Sequence, residues 1–311
     1  MKQNDRFNLV LALAVCSAAF SLSFGIVGLP QEPALPVALA YCESRHAKPV
    51  LDATAAYALD VMTGRVLYEK NQHVQLPLAS LTKLMTVLVA LDAVSLDESI
   101  IISEDALAPE GDSGLLANEW WNVQDLIDFT LIGSSNDGAR ALALAANSKV
   151  GGASIGNFVF KMNEKSKMLN MSETFFLNDT GLDISTTTAG ALGSAHDMAL
   201  LLASIYATAP DAFLGSSLTD AVFTIGDRIH DAENTNGISA RISQVLISKT
   251  GYTDLAGGNL AVLFEPIPGR PIAAVVLGSS REEREQDLKM LAESATDEMR
   301  RQIICERAVE P

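Results

Sequence analysis

The apolar pattern changes character twice along this chain of 311 residues, and that change constrains the fold more than any other feature. Residues 55–61 and 65–69 are short β-prone runs around Met62-Thr63-Gly64, where glycine suits the positive φ of a hairpin turn. From 81 to about 240 the periodicity is helical. Leu84, Val87, Leu88 and Leu91 share one face of a helix over 81–94, and further helices are predicted over 122–132, 137–146, 154–169 and 194–207. The last begins with Ser194, suited to N-capping, with Asp197 three residues on. Beyond 240 the pattern returns to strands at 244–249, 259–264 and 271–277, the last two joined by Pro266-Ile267-Pro268-Gly269. A charged helix over 281–304 follows, with Glu285–Lys289 and Asp297–Arg301 at helical spacing. Both chain ends therefore supply strands and the middle supplies helices. The expected class is α/β of the α+β kind: an antiparallel sheet built from both chain ends, flanked by helices, with an all-helical insertion lobe over roughly 100–240. A cleft between the two lobes is the natural place for a site.

The N-terminus says where such a fold works. Lys2 and Arg6 precede a run from Phe7 to Pro30 that holds no charge. A positive end before an apolar run of that length marks residues 1–30 as an export signal or an N-terminal membrane anchor, with the remainder outside the cytoplasmic membrane. Ala38-Leu39-Ala40 resembles a cleavage site but lies well past the run, so anchor and cleaved peptide both stay open. Residues 31–50, rich in proline and alanine, read as a linker, which leaves 51–311 as one catalytic unit. The net charge of -16 argues against a nucleic-acid partner, which needs a basic surface to displace counterions. Three cysteines, Cys16, Cys42 and Cys305, make neither a zinc site nor a disulfide scaffold, and four scattered histidines form no HExxH, so no metal and no cofactor is expected. Cys42 and Cys305 flank the exported part, and pairing and free thiols are both compatible with it.

Three motifs carry chemistry, each occurring once. Ser80-Leu81-Thr82-Lys83 places a hydroxyl and an amine on one face of a helix, and a lysine kept neutral by burial or by a neighbouring cation can act as the base for a serine nucleophile. Ser134-Ser135-Asn136 falls in a break between two helical patterns, where a hydroxyl can relay a proton and an amide can bind a substrate amide. Lys249-Thr250-Gly251 ends a β-prone run: a fixed cation beside a hydroxyl suits a carboxylate, and glycine lets an extended peptide lie against the strand. Taken singly, each reads better as a capping serine with a surface lysine, a helix-capping turn or a plain edge strand. Taken in this order they form the set of the penicillin-recognising serine enzymes.

With the stretches DVMTGRVLYEKN, LPLASLTKLMT, GDSGLL, LIGSSNDGARALA, NDTGLD, SAHDMA, SKTGYT, AGGNLAV and LGSSREER, the sequence resembles the low-molecular-mass D-alanyl-D-alanine carboxypeptidases, the penicillin-binding proteins of serine peptidase family S11, from about Ala55 to Ile304. That resemblance implies a β-lactamase/transpeptidase-like fold. It implies Ser80 as nucleophile, Lys83 as its base and Ser134 as the relay of a proton to the leaving D-alanine. Asn136, Lys249, Thr250, Gly251 and Tyr252 would bind substrate, with the backbone N–H groups of Ser80 and Tyr252 as oxyanion hole. The implied partners are a peptidoglycan stem peptide ending in D-Ala-D-Ala, β-lactam antibiotics as covalent inhibitors, and the membrane through the N-terminal segment. Many members carry a second β-rich domain and a C-terminal amphipathic anchor, for which Cys305–Pro311 leaves no room. The middle motif reads S-S-N where glycine is frequent in the family.

Two other readings compete. A class A β-lactamase shares the first and third motifs but needs a glutamate-activated water. Glu173 precedes Leu177-Asn178 with one residue too many for that loop, and reads as structural. A penicillin-binding sensor or inactive wall-binding module would acylate without turnover. His196 is expected to cap or pack, Trp120 and Trp121 to pack the lobe, and the charge run at 281–285 to face solvent.

Overall fold

The computed structural model describes Cys42 and residues 48–309. Segment 1–30 and most of the linker over 31–50 lie outside the described residues.

Strands β1 (Ala55–Asp60) and β2 (Val66–Lys70) join β10 (Val245–Thr253), β11 (Gly257–Ile267) and β12 (Arg270–Ser279) in one five-stranded sheet of order β10-β11-β12-β1-β2. Every neighbour pair is antiparallel, and the two chain ends meet where β1 pairs with β12, Ala58 opposite Ala274. The sheet built from both ends is thus present.

Alternation along these strands is between two buried faces rather than between core and water. Ala55, Tyr57 and Leu59 of β1, with Ala273, Val275 and Leu277 of β12, enter one core, while Ala56 and Ala58 with Ile272, Ala274 and Val276 enter the other. A strand covered on both sides needs near-continuous apolar sequence, which is what β11 and β12 carry. The second face is sealed by Leu288, Leu291, Ala292, Ala295 and Met299, one stripe of the C-terminal helix Arg284–Val309. Its far end is tied to the start of the described chain by a disulfide between Cys42 and Cys305, whose Cα atoms are 5.6 Å apart.

Helix α1 (Thr82–Ala90) runs through the middle of the first core with all nine residues buried. Around it pack α2 (Val123–Ile132), α3 (Asn136–Lys149), α4 (Ile155–Met168) and α5 (Ala195–Thr208), and the C-terminal helix is α6. The expected capping of α5 is present, Asp197 N donating to Ser194 Oγ at 3.1 Å. Trp121 is fully buried against Phe129 and Phe223, whereas Trp120 is 62% exposed, so only one of the pair packs the lobe.

Two expectations need correction. The insertion is not all-helical. It contains β4 (Ser99–Ile101) paired with β5 (Trp120–Asn122), β6 (Phe175–Phe176) paired with β7 (Ala191–Gly193), which also pairs with β3 (Leu76–Pro77), and a hairpin of β8 (Asp220–Ile225) with β9 (Arg228–Glu233). All but the hairpin are two or three residues long, too short for a period of two to emerge, and the hairpin leaves Val222 and Ile229 exposed, which blurs its alternation. Strand β10 also runs beyond Lys249 to Thr253, because Thr250 to Thr253 pair with Leu260 to Gly257 of β11.

Candidate active site

Ser80 lies in a 3-10 turn, Ala79–Leu81, that feeds directly into α1. Ala79 before it holds φ 48, a left-handed conformation that costs a non-glycine residue free energy and recurs at functional sites. One turn on, Lys83 is 0% exposed because the helix that carries it is buried all round. Burial away from water disfavours the ammonium form and lowers the Lys83 pKa to about 7. The Asp179 carboxylate opposes that shift, but it is itself clamped by Arg140 Nε and Nη2 at 2.6 and 2.8 Å, so much of its field is cancelled.

Three oxygens surround the Lys83 amine: Ser80 Oγ at 2.9 Å, Asn136 Oδ1 at 2.7 Å and the Thr180 carbonyl at 2.9 Å. Two of them can only accept. The Asn136 amide is oriented by its Nδ2, which donates to the Glu110 carbonyl at 2.7 Å, so its oxygen faces the lysine. A neutral amine has two N–H bonds and one lone pair. With Asn136 Oδ1 and Thr180 O taking the two N–H bonds, the lone pair is left for the hydroxyl of Ser80. Gly181 makes the carbonyl contact sterically feasible: its φ is +82, and a Cβ there would fall 1.9 Å from Ala79 O.

The far wall is β10. A Cβ on Gly251 would lie 2.8 Å from Leu78 O and 3.3 Å from Ser80 N, so glycine is what lets the strand lie against the serine turn. Lys249 is 1% exposed and donates to Thr250 O at 3.2 Å. Burial, then the charges of Lys83 and Arg284, hold its pKa well below the ordinary lysine value. Thr250 Oγ1 is 2.5 Å from Thr235 Oγ1, and Tyr252 stands 45% exposed at the mouth with Arg281 over its ring at 5.3 Å.

Ser80, Lys83 and Asn136 are thus in direct contact, and Lys249, Thr250 and Gly251 line the strand beside them. Ser134 sits at φ 58 at the entry to α3, partly buried, its hydroxyl making no hydrogen bond among the described residues. Ser135, the departure from glycine, acts locally. Its Oγ accepts from Gly138 N at 2.9 Å as the N-cap of α3 and meets Ser113 Oγ at 2.6 Å. Ser113 also donates to Asp137 Oδ2 at 2.9 Å, so the GDSGLL loop is pinned to α3, and burial raises the Asp137 pKa.

Several contributors were invisible as such in the sequence. Arg284 belongs to the charge run expected to face water, yet it is 6% exposed and donates to Gly251 O at 3.2 Å and Thr235 O at 3.0 Å. The signal was only its place in LGSSREER. Thr180 acts through a backbone carbonyl. Arg140–Asp179 joins two of the family-like stretches, GARALA and NDTGLD, whose residue types alone point to no role. Glu173 contacts His73, Ser172 and Ser194 rather than Ser80 or Lys83, in keeping with the structural reading. His196 packs edge-on to Tyr57 with centroids 5.3 Å apart, as a packing residue would.

Comparison with known proteins agrees with this geometry. The family model described as D-alanyl-D-alanine carboxypeptidase matches residues 43–281. The chain is 32% identical over 254 residues to the D-alanyl-D-alanine carboxypeptidase DacF of Bacillus subtilis, covering 77% of this chain and 61% of that protein's length. It is 29% identical over 264 residues to a D-alanyl-D-alanine endopeptidase of Escherichia coli, covering 83% of this chain and 81% of that one. Penicillin-binding protein D2 of Listeria monocytogenes, solved with cefotaxime bound, superposes with a TM-score of 0.68 at 29% identity, covering 80% of this chain and 99% of that one. With the match spanning most of the chain, and Ser80 and Asn136 both meeting the Lys83 amine, the chain belongs to the D-alanyl-D-alanine carboxypeptidase family of serine peptidases, S11.

Proposed function

We propose that this chain is a serine D-Ala-D-Ala carboxypeptidase that removes the terminal D-alanine from peptidoglycan stem peptides and is acylated by β-lactams. The observation that carries the reading is the Lys83 amine, buried, with two fixed acceptors and the Ser80 hydroxyl as its third neighbour. Ser80 Oγ attacks the carbonyl of the penultimate D-alanine and its proton passes to Lys83 Nζ. The oxyanion forms beside the backbone N–H of Ser80, with that of Tyr252 as the second donor. Collapse breaks the amide C–N bond. The leaving nitrogen takes a proton from Lys83 through Ser134 Oγ, and free D-alanine departs. Water then attacks the ester, Lys83 again accepts the proton, and Ser80 is regenerated. Lys249 and Thr250, with Asn136 on the donor side, hold the substrate, the lysine facing its terminal carboxylate.

The site works outside the cytoplasmic membrane. The uncharged run from Phe7 to Pro30 and the Cys42–Cys305 disulfide, a bond that persists in oxidising compartments, both support this. Among the described residues no single helix is long and apolar enough to cross a membrane. The reading is tested by incubating the full chain with a peptide ending in D-Ala-D-Ala and measuring released D-alanine. Ser80→Ala is expected to abolish release, and retained release in that variant overturns the nucleophile. Glu173, engaged elsewhere, supports slow rather than rapid loss of a bound penicillin, and intact mass after penicillin treatment should show one persistent adduct.

A further inference from the structure

Two of the chain's four histidines meet in space although more than a hundred residues separate them in sequence. His73 lies in the loop between β2 and β3, and His196 is the second residue of α5. Their ring centroids are 4.7 Å apart. Glu173, from the segment before β6, brings Oε1 to 3.6 Å from His73 Nδ1. One ligand atom from each of the three residues lies within 4.8 Å of the others.

The donors are held from behind. His196 Nδ1 is 3.1 Å from Oδ1 of Asp197, a carboxylate with no exposure. That carboxylate is fixed in turn by Glu173 N and Thr174 Oγ1, both at 2.8 Å. A carboxylate on one imidazole nitrogen places the proton there and leaves Nε2 with its lone pair free, the arrangement found behind metal-bound histidines. Ser194 Oγ donates to Glu173 Oε2 at 3.4 Å and Ser172 Oγ to Oε1 at 3.0 Å, and Oε1 is the oxygen turned to His73, with lone-pair capacity left for an ion. The side chains of His73, Glu173 and His196 are 55%, 27% and 26% exposed, so an ion has access and a fourth position is open to water.

We propose that His73, His196 and Glu173 form a binding site for a divalent ion of the zinc class, with water as fourth ligand. Two imidazoles and one carboxylate suit Zn²⁺ better than Mg²⁺ or Ca²⁺, which take all-oxygen shells. Tetrahedral ligands about 2.1 Å from zinc stand roughly 3.4 Å from one another, so closure needs the three side chains to draw together by about 1 Å. The bound ion cross-links three segments: the loop leading through β3 to Ser80, the strap into β6, and the start of α5.

The test uses the full chain, disulfide intact and freed of metal by a chelator, titrated with ZnCl₂ in a calorimeter. One ion per chain is expected, with thermal unfolding raised by at least ~5 °C at saturating zinc and left unmoved by MgCl₂. His73→Ala and His196→Gln are each expected to weaken zinc binding by about tenfold or more, while labelling of Ser80 by fluorescent penicillin reports that the variants are folded. His73→Ala alters an exposed loop and keeps the test decisive if His196→Gln does not fold. Absence of saturable binding, wild-type affinity in His73→Ala, or an equal shift with MgCl₂ overturns the proposal.

Discussion

Lys83 and Lys249 are both buried lysines, both with lowered pKa, yet their surroundings prepare them for opposite roles. Lys83 stands on a buried helix with three oxygens in reach. Lys249 stands on a strand with one neighbouring carbonyl at 3.2 Å and two cations, Lys83 and Arg284, acting against it. The first amine is satisfied in either form, because Ser80 Oγ can accept an N–H or donate to the lone pair, and burial favours the neutral one. The second is short of an anion. Burial alone therefore does not define the role of a lysine: the count of fixed acceptors around it does, because each acceptor settles where an N–H or a lone pair must point.

The comparison can be broken most directly at Lys83. Lys83→Ala should slow acylation by penicillin roughly 10²–10⁴-fold, the usual weight of a positioned general base, measured by rapid-mixing fluorescence. A loss under tenfold would mean that another group takes the Ser80 proton. Lys249→Ala should act on recognition: kcat/KM for a peptide with a free C-terminal carboxylate falls roughly 10–150-fold, equivalent to the ~1.5–3 kcal/mol of a hydrogen bond to a charged group. The C-terminal amide should be poor for the wild type and no poorer for the variant, since residues acting on one group are not additive.

The pH profile sharpens the same contrast. In the proposed mechanism Lys83 acts when neutral, so kcat/KM should climb about tenfold per pH unit below about 7 and then level as its proton is lost. In the same mechanism Lys249 acts when protonated, and its depressed pKa brings the falling limb below that of an ordinary lysine. Lys249→Ala should erase the falling limb and keep the rising one. The smallest effect belongs to Arg284→Gln. Removing this cation relieves Lys249, so the falling limb moves to higher pH, and loss of the bonds to Gly251 O and Thr235 O costs about 1–3 kcal/mol of stability in urea unfolding.

Much of this site was legible because its chemistry is written in short, ordered motifs. Ser80 and Lys83 are one helical turn apart, and a helical period places them on one face wherever the helix ends up. The sheet was legible because β-prone runs occur at both ends, and the two sets join through a single pair, β1 with β12. The short strands of the insertion were not, since two or three residues carry no measurable period. Arg284 was hidden for a related reason: a charge run at a helix start looks the same whether it faces water or the underside of β10. The β10 extension through Tyr252 depended on β11 lying alongside.

By itself, then, the sequence determined which groups are the candidates for the chemistry, their order, the two-ended sheet and the acidic, nucleic-acid-averse character of the chain, because these follow from residue identity and local periodicity. Only the tertiary structure decided how each lysine is surrounded, Lys83 by three oxygens and Lys249 by one carbonyl and two cations. It also decided that a backbone carbonyl at Thr180 completes the first, that Gly181 and Gly251 stand where a Cβ would collide, and that His73 meets His196 beside Glu173. Desolvation, backbone acceptors and close approach belong to the partners a residue packs against, and those partners come from distant parts of the chain.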